Sequence, residues 1–416
     1  MSARDIAVHQ VLATLGYGDA IGNEALGIRR VLLDAGYESR IYVETVDPRL
    51  EDETEDYRDL IDDSRPDNIL IHHFSLGSRA SRVAFALPDR MILVYHNITP
   101  VRFLLDVRSP VVAQCYTGRR ELGAYAPRCD LALGDSAFNR SELDALGFPR
   151  TGVLPVVPDF AHLDVTPHPW LARQFDDEAT NILFVGRLIP NKRIEDLIRF
   201  FHAYRRRYNR ASRLLLVGAH DLFDDYRAAL ADLVRRLGIP DVHLIGHVSN
   251  EELTALYDVA DLFLSASEHE GFCVPLVEAF HKRIPVIAFA AAAVPATMDG
   301  GGVLYERKDP RHVASLINAV LTDAALEEEI LAAQDAALAR LRARDFAGTL
   351  LAFVDRVRTA HRLPPCRVAS DFWRQLERLE RLEALRSFRP SAFGALSEPA
   401  EDLPEPLHGA PPEATA

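Results

Sequence analysis

Residues 181–218 read NILFVGRLIPNKRIEDLIRFFHAYRRRYNRASRLLLVG, and their reading decides the fold. A short run of Ile, Leu, Phe and Val ends at Gly186. A basic loop from Arg187 to Lys192 follows, then a helical pattern over Ile194–Tyr208, then a second apolar run, RLLLVG. Apolar runs this short and this rich in branched side chains suit parallel strands buried on both faces. A strand–helix–strand unit is the building block of a doubly wound sheet. The pattern continues through VHLIG, LFLSA and PVIAFA, separated by helices over Asp225–Leu237 and Glu251–Val259.

The same alternation precedes it. Strands are expected at Ile6–Ala13, Ser39–Glu44, Asn68–Phe74, Met91–Asn97, Leu131–Gly134 and Gly152–Val157, with helices at Asn23–Ala35 and Pro110–Tyr125. The fold class is therefore α/β, with two Rossmann-like domains in tandem. The expected boundaries are 1–160 for the first domain, 161–180 for a proline-bearing linker and 181–345 for the second domain. Residues 346–388 read as C-terminal helices that can cross back to the first domain, one of them over Asp371–Leu385. The proline-rich segment 389–416 carries little to bury and is expected to be a disordered tail. The acidic stretch Asp47–Asp63 reads as a solvated loop and helix face.

Composition narrows the function classes. With 48% hydrophobic and 26% charged residues the chain reads as globular, and it lacks the roughly 18–20 uninterrupted apolar residues of a membrane span. The start, MSARDIAVHQ, has no signal-peptide core, so a cytoplasmic protein is expected. Cys115, Cys129, Cys273 and Cys366 show no CxxC spacing, which argues against structural zinc or a disulfide framework. A net charge of −14 makes nucleic acid a poor partner, so an anionic ligand needs a local cluster of positive groups.

Three stretches carry chemistry. In SEHEGFCVPLVEAF (Ser267–Phe280) a strand ends, Glu270 stands in a loop, and a helix is expected to open at about Gly271–Phe272, with Pro275 in its first turn. The free amides of a first turn favour phosphate or hydroxyl groups, and Gly271 lets a ligand approach the backbone. Glu278, eight residues after Glu270, returns to roughly the same face. In FVGRLIPNK, Arg187 and Lys192 follow a strand at the sheet end where open sheets bind ligands; Arg187 can fork onto phosphate and Lys192 adds a point charge. In LGYGDAIGNEALGIRRVL (Leu15–Leu32) a glycine-punctuated loop opens a helix near Asn23. It lacks the GxGxxG fingerprint, yet Gly22 and the amides after it can face a phosphate.

In this order the blocks FVGRLIPNK, GHVSNEELTALYDVADLFLSAS, EGFCVPLVEAF and PVIAF…AVP…GGGVLY resemble the family-4 retaining glycosyltransferases of GT-B fold. The resemblance runs from about Asn181 to Asp323, holds in order over Ile6–Asp159, and leaves out the tail. It implies a nucleotide-diphosphate sugar as donor, with Arg187 and Lys192 neutralising the diphosphate. It further implies that Glu270 holds sugar hydroxyls with the amides of Gly271, Phe272 and Cys273, and that Glu278 binds the ribose. Val248 matches a position near the base, Gly22 the loop glycine near the diphosphate, and His96, in LVYHNITP, a histidine near the sugar's 6-hydroxyl and anomeric centre. His72 and His73 read as structural or acceptor-side residues.

The departures are Cys273 where the family often has Gly or Ser, Ala296 where VPE is more usual, and GDAIGNEA in place of a GG…H loop. No DxD triplet occurs, so no metal and no other cofactor is expected. The implied acceptor is a glycan, a lipid-linked or a small molecule, and peripheral contact with the inner face of a membrane is compatible with that. A nucleotide-sugar epimerase and a non-catalytic sugar-nucleotide-binding relative remain as alternatives at this point.

Overall fold

A computed structural model describes residues 6–107, 110–156, 158–219, 223–364, 366 and 370–388. The expected tail from 389 lies outside them.

The first sheet has seven strands: β1 (Val8–Leu15), β2 (Ile41–Val46), β3 (Glu55–Asp56), β4 (Ile69–Phe74), β5 (Arg90–Tyr95), β6 (Leu131–Gly134) and β7 (Thr151–Val153). The second has six: β8 (Thr180–Val185), β9 (Ser212–Val217), β10 (Val242–Gly246), β11 (Leu262–Ser265), β12 (Val286–Phe289) and β13 (Val303–Tyr305). Their orders are β3-β2-β1-β4-β5-β6-β7 and β10-β9-β8-β11-β12-β13, with every pairing parallel. The order reverses between β1 and β4 and again between β8 and β11. Doubly wound sheets open their ligand crevice at such points, beyond the carboxyl ends of the strands.

The strands are buried on both faces, as their unbroken apolar runs require. The second sheet is covered by the helices Ile194–Arg207 and Pro310–Thr322 on one side, and by Val274–His281 and Ala324–Arg342 on the other. The chain then returns to the first lobe. The helix Phe346–Thr359 buries Leu350, Val354 and Val357 against Val8, Ile69, Ile92 and Leu131. Arg90 fastens this return: it pairs with Asp130 at 3.0 Å and donates to the carbonyls of Arg358 and Ala360, free acceptors at a helix end.

The acidic stretch holds the 3-10 turn Pro48–Glu53 and the short helix Leu60–Asp63, and between them Glu55–Asp56 adds the edge strand β3 beside β2, for which the run of acids gave no signal. The helix Ser370–Phe388 forms a separate unit, carrying its own ion pairs Arg374–Asp371 and Arg381–Glu377.

Candidate functional site

A cleft of 1080 Å³ lies at the carboxyl ends of the strands, lined by Asn23, Glu24 and Arg30 on one side and by Arg187, Val248 and Glu278 on the other. The backbone shapes its floor. At Gly218, where φ is +145°, a Cβ would come within 2.0 Å of the Gly186 carbonyl, so the exits of β8 and β9 meet at this separation only with glycine there.

Arg187 leaves β8 into the cleft with its side chain exposed, and it has no ion pair or hydrogen-bond partner among the described residues. Lys192, at the end of the 3-10 turn Pro190–Lys192, reaches the loop after β11, where its ammonium meets both oxygens of Glu270 at 2.5 and 2.6 Å. Adjacent strands β8 and β11 make this possible, and Asn191 fixes it: Glu268 N–H donates to the Asn191 carbonyl at 2.9 Å, and the Asn191 side-chain Nδ2 donates to the His269 carbonyl at 3.0 Å. Burial lowers the Lys192 pKa, but the Glu270 charge, the Cys273 thiol and the hydrogen bond to Glu270 together outweigh it and the net shift is upward.

The helix after Glu270 opens later than expected, at Val274, because Cys273 takes the left-handed conformation (φ +75°) at its N-cap. The amides of Gly271, Phe272 and Cys273 precede the helix and have no partner among the described residues. Phe272 is buried and held through its carbonyl by Thr297. Glu278 sits two turns on, 6% exposed, with Oε1 2.8 Å from His162 Nε2 and Oε2 2.8 Å from the Tyr257 hydroxyl. Val248 packs on the core of the second lobe and lines the cleft. Ala296 is exposed on the short helix Val294–Met298.

In the first lobe the register assembles a polar row. Gln10 stands opposite Ile71, His73 opposite Val94, and Val94 opposite Leu133. Steps of two along a strand keep the same face, so Gln10, His73, His96 and Asp135 share one side of the sheet. Their hydrogen bonds orient one another. Gln10 Nε2 donates to the Ala25 carbonyl at 3.0 Å, which leaves Gln10 Oε1 to accept from His73 Nε2 at 2.9 Å. His73 Nδ1 then accepts from His96 Nε2 at 2.9 Å, and His96 Nδ1 faces Asp135 at 3.1 Å and Glu24 at 3.8 Å. Burial lowers the His96 pKa, but Asp135 and then Glu24 raise it to about 9. Burial and the Asp135 charge raise Glu24 to about 8.

Two expectations change here. His96 has both ring nitrogens bonded, to His73 and Asp135, and stands behind Glu24 as a held charge; like Lys192, Glu270 and Gly271–Cys273, it is not among the residues lining the 1080 Å³ cleft. The Gly22 amide is not free for phosphate either. The helix begins at Ala20 rather than near Asn23, capped by Asp19, whose carboxylate takes the Gly22 N–H. Gly22 is glycine for space: a Cβ would lie 2.4 Å from the Gly16 carbonyl. His72 is buried on Ser81 at 3.0 Å, its pKa lowered by burial to about 3, and is a core residue.

The sequence profile of the Glycosyl transferases group 1 family matches residues 172–334, the stretch that carries Arg187, Lys192, Glu270 and Glu278. The second lobe is a group 1 glycosyl transferase domain. Over 158 residues the chain is 31% identical to an uncharacterized glycosyltransferase of Methanocaldococcus jannaschii, covering 37% of this chain and 39% of that protein. Over 141 residues it is 27% identical to the O-antigen chain mannosyltransferase B of Escherichia coli, covering 34% and 36%. The chain thus matches little more than a third of the length of each of these two relatives. Solved structures extend the likeness to both lobes. Sucrose-phosphate synthase from Thermosynechococcus elongatus superposes with a TM-score of 0.63 at 16% identity, over 84% of this chain and 98% of that one. Anabaena HepE, in complex with UDP-glucose, gives 0.65 at 16%, over 84% and 99%. The fold is GT-B.

Around the group 1 motifs the structure adds residues that no local pattern announced. His162 lies in the linker, 116 positions from Glu278. Asn97, at φ +72°, accepts from His269 Nε2 at 2.7 Å and joins the two lobes beside Gly271. Asp135 follows β6, and Glu24 lies in the first helix. Both sit where strands deliver ligand-facing groups, which was the one signal available.

Proposed function

We propose that the chain is a retaining glycosyltransferase, which moves a hexosyl-type sugar from a nucleotide-diphosphate sugar to a glycan, lipid-linked or small-molecule acceptor without a metal. The observation that carries this is Arg187: a guanidinium at the exit of β8, in the cleft, without a partner among the described residues and near enough to Lys192 for their charges to interact. Breaking the bond from the anomeric carbon to the diphosphate builds negative charge on the leaving group. Preorganised cations and amides at that place lower the barrier without reorganisation.

In this reading Arg187 and Lys192 take the diphosphate, and the arriving phosphate shares Lys192 with Glu270. The carboxylate is thereby released to sugar hydroxyls, next to the amides of Gly271–Cys273, which have no partner among the described residues. Glu278 takes the ribose, and the base lies along Val248. His96 contributes charge rather than contact, set behind Glu24 on the acceptor side. The acceptor attacks the face from which the diphosphate departs. Among the described residues no helix is long and apolar enough to cross a membrane, and we assign the protein to the cytoplasm or the inner membrane face.

UDP-glucose, bound by the Anabaena neighbour, heads the donor screen. Early proton NMR of the reaction should show a product with the donor's anomeric configuration, formed at most of its normal rate in excess EDTA. An inverted product, full EDTA inhibition reversed by magnesium, or epimerised donor with no transfer would overturn the proposal.

A further inference from the structure

Glu278 is fixed from two sides. Tyr257, buried in the helix Asn250–Asp258, donates to Oε2, and His162, from the 3-10 turn Ala161–Leu163 between the lobes, faces Oε1, each at 2.8 Å. The other nitrogen of His162, Nδ1, lies 3.1 Å from the Asp159 carbonyl. A carbonyl and a carboxylate are both acceptors, so each ring nitrogen needs a proton to bond its partner. The cationic imidazole is the form that bonds both acceptors at once. It also lines the cleft, as does Glu278.

We propose that His162 is the positioning residue for the ribose carboxylate: as an imidazolium it clamps Glu278 against the cleft wall, for recognition of a nucleoside diphosphate. Each carboxylate oxygen has two acceptor sites, so after His162 and Tyr257 one remains on each for a vicinal diol. The assignment rests on the reading of this cleft as the nucleotide site. It adds a residue outside the group 1 motifs and ties the linker between the lobes to nucleotide binding.

The clamp titrates. The Glu278 hydrogen bond raises the His162 pKa, burial opposes it, and the Glu278 charge and the Asp159 carbonyl and charge add to the rise. The groups facing the ring are Glu278, the Asp159 carbonyl and carboxylate, and Tyr257 across the carboxylate. A group raised above its unfolded pKa makes its contribution in full below that value and loses it as pH climbs through the folded one. Above it, the neutral ring has one N–H left for two acceptors and no charge beside the carboxylate, so its hold on Glu278 weakens.

The test is calorimetric titration of uridine, guanosine and adenosine diphosphates into the full chain between pH 6 and 9. The wild type should bind at least one of them, more weakly as pH rises. His162→Ala should weaken that binding roughly tenfold at pH 6.5, the scale of one hydrogen bond to a charged group, with a flattened pH profile. In turnover, donor KM should rise with kcat nearly unchanged. His162→Lys, which keeps the cation, should recover affinity and hold it past pH 8; this variant carries the test if His162→Ala does not fold. Wild-type affinity and pH profile in His162→Ala, or no recovery in a folded His162→Lys, would overturn the clamp alone. Failure of the wild type to bind any of the three would overturn the nucleotide-site reading, and the clamp with it.

Discussion

Lys192→Met would leave the Glu270 carboxylate without the ammonium that now meets both its oxygens. The pair is largely withdrawn from solvent, with side chains 17% and 7% exposed, so water cannot take over from the lost partner. Removing one member of a buried pair costs about 3–5 kcal/mol, because the other stays buried and uncompensated. Partial access at Lys192 favours the lower end, about 3 kcal/mol, or roughly a hundredfold in the unfolding constant. Lys192→Met/Glu270→Leu removes both charges and should regain most of that loss, since a buried pair and an apolar replacement of similar size come out nearly even. Urea unfolding of the wild type, the two singles and the double closes the cycle, while transfer should stay lost in all three variants. A Lys192→Met midpoint indistinguishable from wild type would refute the buried pair. A double variant no better than Lys192→Met would refute the charge argument.

Arg187→Ala removes an exposed side chain with no partner among the described residues, so its melting temperature should match wild type while turnover falls roughly 100- to 1000-fold, as for one oxyanion donor; near-normal turnover would contradict its role. Gly271→Ala places a Cβ 2.8 Å from that of Asn97 across the lobes, and should depress transfer and shift small-angle scattering toward a more open form; unchanged activity would show that the lobes need not meet there. Folding stability should fall as pH rises from about 7 to 9. Glu24, raised to about 8, and His96, raised to about 9, each bind more protons folded than unfolded in that range. Glu24→Gln should flatten the lower part of the decline in a melting-temperature series, and an unaltered slope would count against the cluster.

The fold was legible because its signal is repeated and local. Apolar runs such as ILFVG and RLLLVG are too short for a buried helix and end on glycine, so they suit buried parallel strands, and their alternation with helices sets the topology class. Element ends were less legible where one side chain decides them: Asp19 starts its helix at Ala20, and Cys273 delays the other to Val274. The placement of Arg187, Lys192 and Glu270 could be read because they lie at strand exits and before helix starts, and that of Glu278 because it follows Glu270 at helical spacing. The Gln10–His73–His96–Asp135 row could not, because it exists only across four strands in register. His162 meets Glu278 only once the chain has folded, and the edge strand β3 pairs on one side alone.

The central claim is that a nucleoside diphosphate binds between Arg187 and Glu278. Calorimetry with uridine, guanosine and adenosine diphosphates in EDTA, on the wild type, Arg187→Ala, Glu278→Ala and Glu270→Ala, tests it most directly. The account predicts one-to-one binding of at least one nucleotide to the wild type, weakened in Arg187→Ala and Glu278→Ala and nearly unchanged in Glu270→Ala. Equal binding by wild type, Arg187→Ala and Glu278→Ala, or no binding to the folded wild type, would contradict it.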